Sequence, residues 1–209
     1  MSPETKQRIV EVAARLFSKK GVKTVSIQQL SGELGVSTKT IYLYFKTKEE
    51  IVKEVLLLGI NADRALIKQL MTQKIPSLEK VLIILDYFSL KTKASYPGII
   101  DDLKKYYSEE YKLIDEFIAE VENKFYPKYI FKPGIREGYF RKSMNIKIIT
   151  RFISVVSIIA WSQDYYSVEE FGNRNIYGEL IKNILMGIST KKGSDYLEKR
   201  LKKYPNLKS

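Results

Sequence analysis

The chain has no cysteine and no histidine among its 209 residues. Without cysteine there is no disulfide, no thiol nucleophile and no thiolate metal site. That absence leaves the compartment open, because a cytosolic chain needs none. Without histidine there is no imidazole general base and no His-ligated metal. Most hydrolase and metalloenzyme readings end there, so the chain is not expected to be an enzyme, and neither a cofactor nor a metal is expected. No G-x-x-x-x-G-K loop and no G-x-G-x-x-G pattern offers a nucleotide site. Long apolar runs are missing as well. The longest apolar tract, residues 146–161, is broken by Lys147, Thr150, Arg151, Ser154 and Ser157, whereas a bilayer-crossing helix needs about 18–20 uninterrupted apolar residues. The start, "MSPETKQRIVEVAARLF", lacks the apolar core of a signal peptide. A cytoplasmic protein with no membrane partner is the expectation.

Acidic residues are in deficit. Lys and Arg number 36 against 24 Asp and Glu, a net charge of +12. Residues 1–50 carry 9 − 5 = +4, residues 51–189 carry 20 − 17 = +3, and residues 190–209 carry 7 − 2 = +5. The excess therefore lies at the two ends. Such a distribution suits a polyanion such as nucleic acid, and it also suits an ordinary solvated lysine surface.

What is present is helical periodicity. Hydrophobic residues make up 44% of the chain, enough for a real core. Ser2-Pro3-Glu4 starts a helix, apolar residues recur at Ile9, Val12, Ala13, Leu16 and Phe17, and Lys19-Lys20-Gly21 stops it. Ser26 and Gln29 form a capping box for a second helix ending at Gly35. Ser37 caps a third, short helix to Phe45, with Ile41 and Phe45 on one face. Thr47-Lys48-Glu49-Glu50 opens a long fourth helix to about Met71. Further helices are expected at about 77–95, 98–106, from 108 toward Pro127, 145–166 and from Gly172-Asn173 to Gly187. Residues 132–138 read as a loop, and the basic tail reads as one exposed helix. The fold class is all-α, with about nine helices and no strand alternation.

Two short helices joined by a tight Gly-containing turn are the signature of a helix-turn-helix. The second helix of that motif lies in the major groove of DNA and meets base edges with its N-terminal residues. Ser37, Thr38 and Thr40 would supply hydroxyls, and Lys39 would reach a guanine edge or a phosphate. Tyr42 and Tyr44 flank the helix as phosphate donors, and Lys48 sits where helix N–H groups also favour an anion. Ser26 and Gln28, at the start of the second helix, complete the expected DNA-facing set.

Residues Ser26 to Ile51, "SIQQLSGELGVSTKTIYLYFKTKEEI", resemble the signature of the TetR family of bacterial transcription regulators. Leu30-Ser31 stands for the family's "IA", Leu34-Gly35-Val36-Ser37 for "AGVS", and Tyr42-Leu43-Tyr44-Phe45 for "Y-x-H-F"; Lys48 matches the family lysine. Ser31 and Leu34 replace alanines, and Tyr44 replaces a frequent histidine. The resemblance covers about residues 5–55. It implies a DNA-binding domain at 1–47 and a larger helical domain at 48–209 that dimerises through its last two major helices and holds a small-molecule pocket.

On that footing the chain is expected to be a homodimeric repressor of double-stranded operator DNA, released by an unknown small molecule. A DNA-binding protein without a small-molecule ligand, nucleoid-type or protein-regulated, is the alternative. The expected interface residues are Ile149, Phe152, Ile153, Val156, Tyr177, Leu180, Ile181 and Ile184, although core burial also fits them. The expected ligand-facing residues are Tyr87, Phe88, Tyr107, Tyr111, Phe117, Phe152, Trp161 and Tyr165, an aromatic set that would equally suit a packed core.

Overall fold

The computed structural model describes residues 2–172 and 174–207. Its α-helices are α1 (Pro3–Lys20), α2 (Ile27–Leu34), α3 (Thr38–Tyr44), α4 (Lys48–Thr72), α5 (Ser77–Ala94), α6 (Ile99–Tyr106), α7 (Ser108–Glu120), α8 (Lys132–Arg136), α9 (Ile146–Ile159), α10 (Val168–Phe171), α11 (Ile176–Ile188) and α12 (Lys191–Leu201). Among the described residues the only β pairing is one isolated bridge, Phe140 with Ser189. The all-α class is therefore as expected. No described helix is long and apolar enough to cross a membrane.

The chain divides into two compact units. One comprises residues 1–64 and 94–116, the other residues 65–93 and 117–209. The division differs from the 1–47 and 48–209 expected from the motif, and the reason is packing. Leu103, Tyr107 and Tyr111 are buried in one cluster with Ile9, Leu16, Phe17, Val22, Leu30, Ile41 and Phe45. The helix-turn-helix thus shares its core with α6 and the first turn of α7.

In this first unit the predicted stops and starts operate as the backbone demands. Gly21 at φ 82° and Gly35 at φ 68° end α1 and α2, conformations that cost a side-chain-bearing residue about 1 kcal/mol or more. The Ser26 hydroxyl accepts from the Gln29 amide at 3.2 Å, and the Gln29 side chain accepts from the Ser26 amide at 2.9 Å. Thr47 caps α4 by accepting from Glu50 N–H at 3.3 Å. Glu50 reaches back one residue further than a capping box requires, to Lys46 N–H at 2.7 Å.

The second unit departs more from the sequence reading. α7 does not stop near Pro127; its axis continues as a wide π-helical segment over Val121–Phe131 and then into α8, where a loop was expected. Apolar Phe125, Ile130 and Phe131 on that segment are buried, and buried Glu122 pairs with Arg151 of α9. α9 ends at Ile159 rather than near Tyr166. The expected helix start at Gly172-Asn173 falls partly outside the described residues, since Asn173 is not among them; α11 begins at Ile176, capped by Asn175.

The basic tail is docked rather than free. Leu197 and Gly193 of α12 are buried, and the Cβ that any other residue would place at 193 collides with the Tyr139 carbonyl. Glu79, buried on α5, accepts from Tyr196 Oη at 2.7 Å, Tyr204 Oη at 2.8 Å and the Arg200 guanidinium. Asp86 accepts from the Asn206 amide at 3.1 Å. Burial pushes the Glu79 carboxyl up, but the hydrogen bonds from Arg200, Tyr196 and Tyr204 outweigh it and leave the acid below its ordinary value. A carboxyl lowered by folding adds stability that is complete above its unfolded pKa and is lost as pH falls through the folded one. Glu79→Gln should therefore destabilise the protein by about 2 kcal/mol at neutral pH. In thermal melts the gap from wild type should narrow as pH falls below the carboxylate range.

Candidate nucleic-acid interface

α3 has seven residues, too few to persist alone in water. It is held by Ile41, fully buried, and by Phe45, whose extended backbone at φ −137° turns its ring into the core of the first unit. Ser37 starts it, accepting from the Thr40 amide at 3.0 Å while the two hydroxyls lie 2.9 Å apart. With one face committed inward, the opposite face is decided. Lys39 is exposed, Tyr42 is 52% exposed and Leu43 is 59% exposed.

The expected DNA-facing residues separate into groups. Ser26, Gln28, Ser37, Lys39 and Tyr42 are exposed, and Thr38 and Thr40 are half-buried beside them. Tyr44 is half-buried and packs on the core of the unit. Leu43 stands out on this face because, in the sequence, it belongs neither to the buried apolar stripe of Ile41 and Phe45 nor to the polar residues around it. An exposed leucine on so short a helix is the signal that could have found it. Lys46, exposed in the turn after α3, is a second such residue.

Lys48 stands apart. Its ammonium donates to the carbonyls of Val22 at 2.6 Å and Lys23 at 3.3 Å. The same nitrogen lies 5.9 Å from the Phe17 ring centre and 5.5 Å from that of Tyr107. Burial lowers its pKa below the ordinary value, with Glu49 and Asp102 opposing. Two of its three donors are spent inside the protein, so the geometry makes it a fastener of the turn between α1 and α2 rather than a free cation on α4.

The expected ligand and interface residues are redistributed. A small apolar cavity in the second unit is lined by Val81, Ile84, Leu85, Tyr126, Ile130, Phe131, Ile153, Tyr177, Ile181 and Leu185. None of the eight aromatics expected to face a ligand is among them. Tyr107 and Tyr111 belong to the core of the first unit, Phe152 and Tyr165 are exposed, and Tyr87, Phe88, Phe117 and Trp161 lie elsewhere. Phe88 and Trp161 pack against the same core, and the Phe88 ring lies 6.1 Å from that of Tyr177. Of the expected interface residues, Ile153, Tyr177 and Ile181 are buried within the second unit and line the cavity, so they are not on an outer face. Ile149, Val156, Leu180 and Ile184 are half-buried. Phe152, also among the expected interface residues, is exposed, and with Ile148 and Val155 it forms the open apolar stripe of α9.

Residues 9–55 match the family model described as bacterial regulatory proteins, tetR family. The chain is 24% identical over 166 residues to the HTH-type transcriptional repressor KstR2 of Mycolicibacterium smegmatis, covering 73% of this chain and 79% of that protein. It is 26% identical over 185 residues to an HTH-type transcriptional regulator of Staphylococcus aureus strain MRSA252, covering 88% and 92%. Against a second S. aureus regulator, of strain bovine RF122, identity reaches 32%, but over 40% of this chain and only 45% of the other. Among solved structures, a regulator from Agrobacterium tumefaciens superposes with a TM-score of 0.73 at 17% identity, over 90% of this chain and 100% of that one. The ketosteroid transcriptional regulator KstR2 of Mycobacterium tuberculosis gives 0.63 at 17% identity, over 91% and 98%. The fatty acid degradation regulator FadR of Bacillus halodurans gives 0.66 at 18% identity, over 89% and 94%. At these identities the structures show a shared fold.

Replacing Lys48 by alanine strands two carbonyls and removes a cation from between two rings. Lys48→Ala should cost about 1–2 kcal/mol of stability, read as a lower melting temperature. A full-strength melt for this variant would show that the contacts around its ammonium contribute nothing.

Proposed function

We propose, from the premise that the chain belongs to the TetR family of bacterial transcription regulators, that it is a homodimeric repressor whose grip on operator DNA is released by a small apolar molecule. The observation that carries the DNA-binding part is the outer face of α3, where Lys39, Tyr42 and Leu43 stand clear of a core that fixes the helix. Lys39 suits a guanine edge or a phosphate, Tyr42 a phosphate oxygen and Leu43 a thymine methyl. Ser26 caps α2 with an oxygen lone pair, which leaves its hydroxyl hydrogen for a phosphate, and the Ser37 and Thr40 hydroxyls share one hydrogen bond, which leaves one of their two hydrogens for another.

Dimerisation is supported by α9. Ile148, Phe152 and Val155 recur at i, i+4 and i+7 and are 64%, 50% and 43% exposed, an apolar stripe of the kind that marks an interface. For both subunits of such a pair to read one face of DNA, two copies of α3 must lie about 34–36 Å apart, one turn of the duplex.

Ligand release is supported by the cavity. Its lining side chains are hydrocarbon apart from the hydroxyls of Tyr126 and Tyr177, and burial pushes the Tyr126 phenol up to about 12, so it stays a neutral hydrogen-bonding group. That chemistry suits a largely apolar molecule with one or two polar atoms, in keeping with fold relatives named for ketosteroids and fatty acid degradation. The cavity is only about 20 Å³, whereas a site for a drug-sized ligand holds about 300 Å³ or more. Any such ligand must move the side chains around it, and a ligand that prefers the moved state shifts the equilibrium. α4 and α7 each contribute residues to both units, giving two continuous helices along which the change can pass.

Lys39→Ala should weaken binding to promoter DNA by about 1–3 kcal/mol while leaving the melting temperature unchanged; unchanged affinity in a mobility-shift assay would remove Lys39 from the interface. Phe152→Lys should convert dimers to monomers in light scattering, and a wild-type monomer at micromolar concentration would refute the dimer. Linkage demands reciprocity. A ligand that lowers DNA affinity by about 5–150-fold must itself bind that much more weakly to the DNA complex. If calorimetry finds ligand binding equal with and without DNA, the protein is a regulator without a small-molecule switch.

A further inference from the structure

The turn between α1 and α2 carries a cation that the helix-turn-helix does not account for. Lys23 is exposed, yet its position is determined from three sides. Its amide donates to Asp102 of α6 at 3.2 Å. Its carbonyl accepts from Lys48 at 3.3 Å. Its ammonium donates to the hydroxyl of Tyr106 at 2.9 Å and lies 4.6 Å from that ring's centre. A second ammonium, that of Lys105, lies 5.4 Å from the centre of the same ring. Lys104 follows on α6, with its ammonium 5.5 Å from the Tyr111 ring centre. Lys19 and Lys20 end α1 just before the turn.

Two ammonium groups therefore converge on one phenol from separate elements. The last-turn position of Lys104 and Lys105 satisfies the α6 dipole, but that does not explain Lys23, which comes from another part of the chain. The Lys23 hydrogen bond lowers the phenol below its ordinary value, burial opposes it, and the charges of Lys105 and Lys23 add to the lowering. The site is thus positive even with Asp102 beside the Lys23 amide. Two like charges held near one another repel, and an anion placed between them relieves that repulsion. The Tyr106 hydroxyl accepts the Lys23 proton and still has its own to donate. Two ammoniums and a hydroxyl donor are the set that a phosphate diester oxygen pair accepts from.

The location selects the anion. Lys23 precedes the α2 cap residue Ser26 by three positions, and its carbonyl is tied to the first residue of α4. α6 is part of the same compact unit as α3, so the cluster holds a constant place relative to the reading helix. We propose that Lys23, Lys105 and the Tyr106 hydroxyl bind a backbone phosphate of the DNA duplex, next to the stretch read by α3. The contact carries no base preference and adds affinity uniformly across sequences. It rests on the DNA-binding reading above.

The test uses the full chain and mixed-sequence duplex DNA, which needs no knowledge of the operator. Affinity is measured across a salt series for wild type, Lys105→Gln, Lys23→Gln/Lys105→Gln and Tyr106→Phe, each checked by melting. Neutralising one phosphate contributes about 0.9 to the slope of log K against log salt. The double variant should lose about that much slope, Lys105→Gln part of it, and Tyr106→Phe should weaken binding with little change of slope. Lys128→Gln/Lys132→Gln, two exposed lysines of the second unit, should change neither. Slopes equal to wild type in Lys105→Gln and in the double variant would overturn the proposal. An equal loss in the Lys128/Lys132 pair would also overturn it, by showing only bulk charge. If wild type itself fails to bind the duplex, the DNA-binding reading fails instead.

Discussion

The first unit depends on the burial of one short helix's inner face. A seven-residue helix forms about two turns and cannot offset its own nucleation cost. Ile41 and Phe45, both nearly inaccessible, are what hold α3 in place, and the Ser37 cap sets where it begins. With those two side chains inward, Lys39, Tyr42 and Leu43 have only solvent, or a partner, to face. The exposed face thereby arises from core packing: the residues proposed to read DNA are positioned by residues that face the core.

That core is larger than the motif. α6 and the first turn of α7 supply Leu103, Tyr107 and Tyr111 to it, and Lys48 fastens the α1–α2 turn beneath the Tyr107 ring. Tyr111 pays for its place with a hydroxyl that is buried without a hydrogen-bond partner, and burial, with Asp115 and Asp101, pushes that phenol up to about 12. A structure that tolerates such a cost is one in which the ring's apolar area outweighs the lost hydration of one hydroxyl.

The second unit solves a different problem. Its helices carry too much apolar surface for one face each, so they surround a shared core, and polar ties close it at the rim. Glu79 gathers Arg200, Tyr196 and Tyr204; Asp86 and Asn175 bind Asn206; Glu122 binds Arg151. The basic tail, which reads as an exposed helix in the sequence, is tied to α5 through Glu79 and Asp86. What stays open is the α9 stripe, and what stays incompletely filled is the small cavity that Ile153 of the same helix helps to line.

Local signals were legible in the sequence. Ser26, Ser37 and Gly35 mark their boundaries because capping and positive φ are decided within a few residues. The helix-turn-helix, its register and its inner face followed from them, as did the resemblance to tetR-family regulators. Long-range choices were not legible. Tyr107 reads the same whether it faces a ligand or packs under Lys48, and Ile153 and Ile181 read the same on an outer seam or in a core. Periodicity states that a residue is apolar on one side of a helix; which neighbour covers that side is settled by elements far away in the chain. Pro127 reads as a stop, and only the surrounding burial of Phe125 and Ile130 carries the helix past it. Lys48 reads as a DNA-facing cation by position, and tertiary structure turned its ammonium inward because two carbonyls and two rings were waiting there.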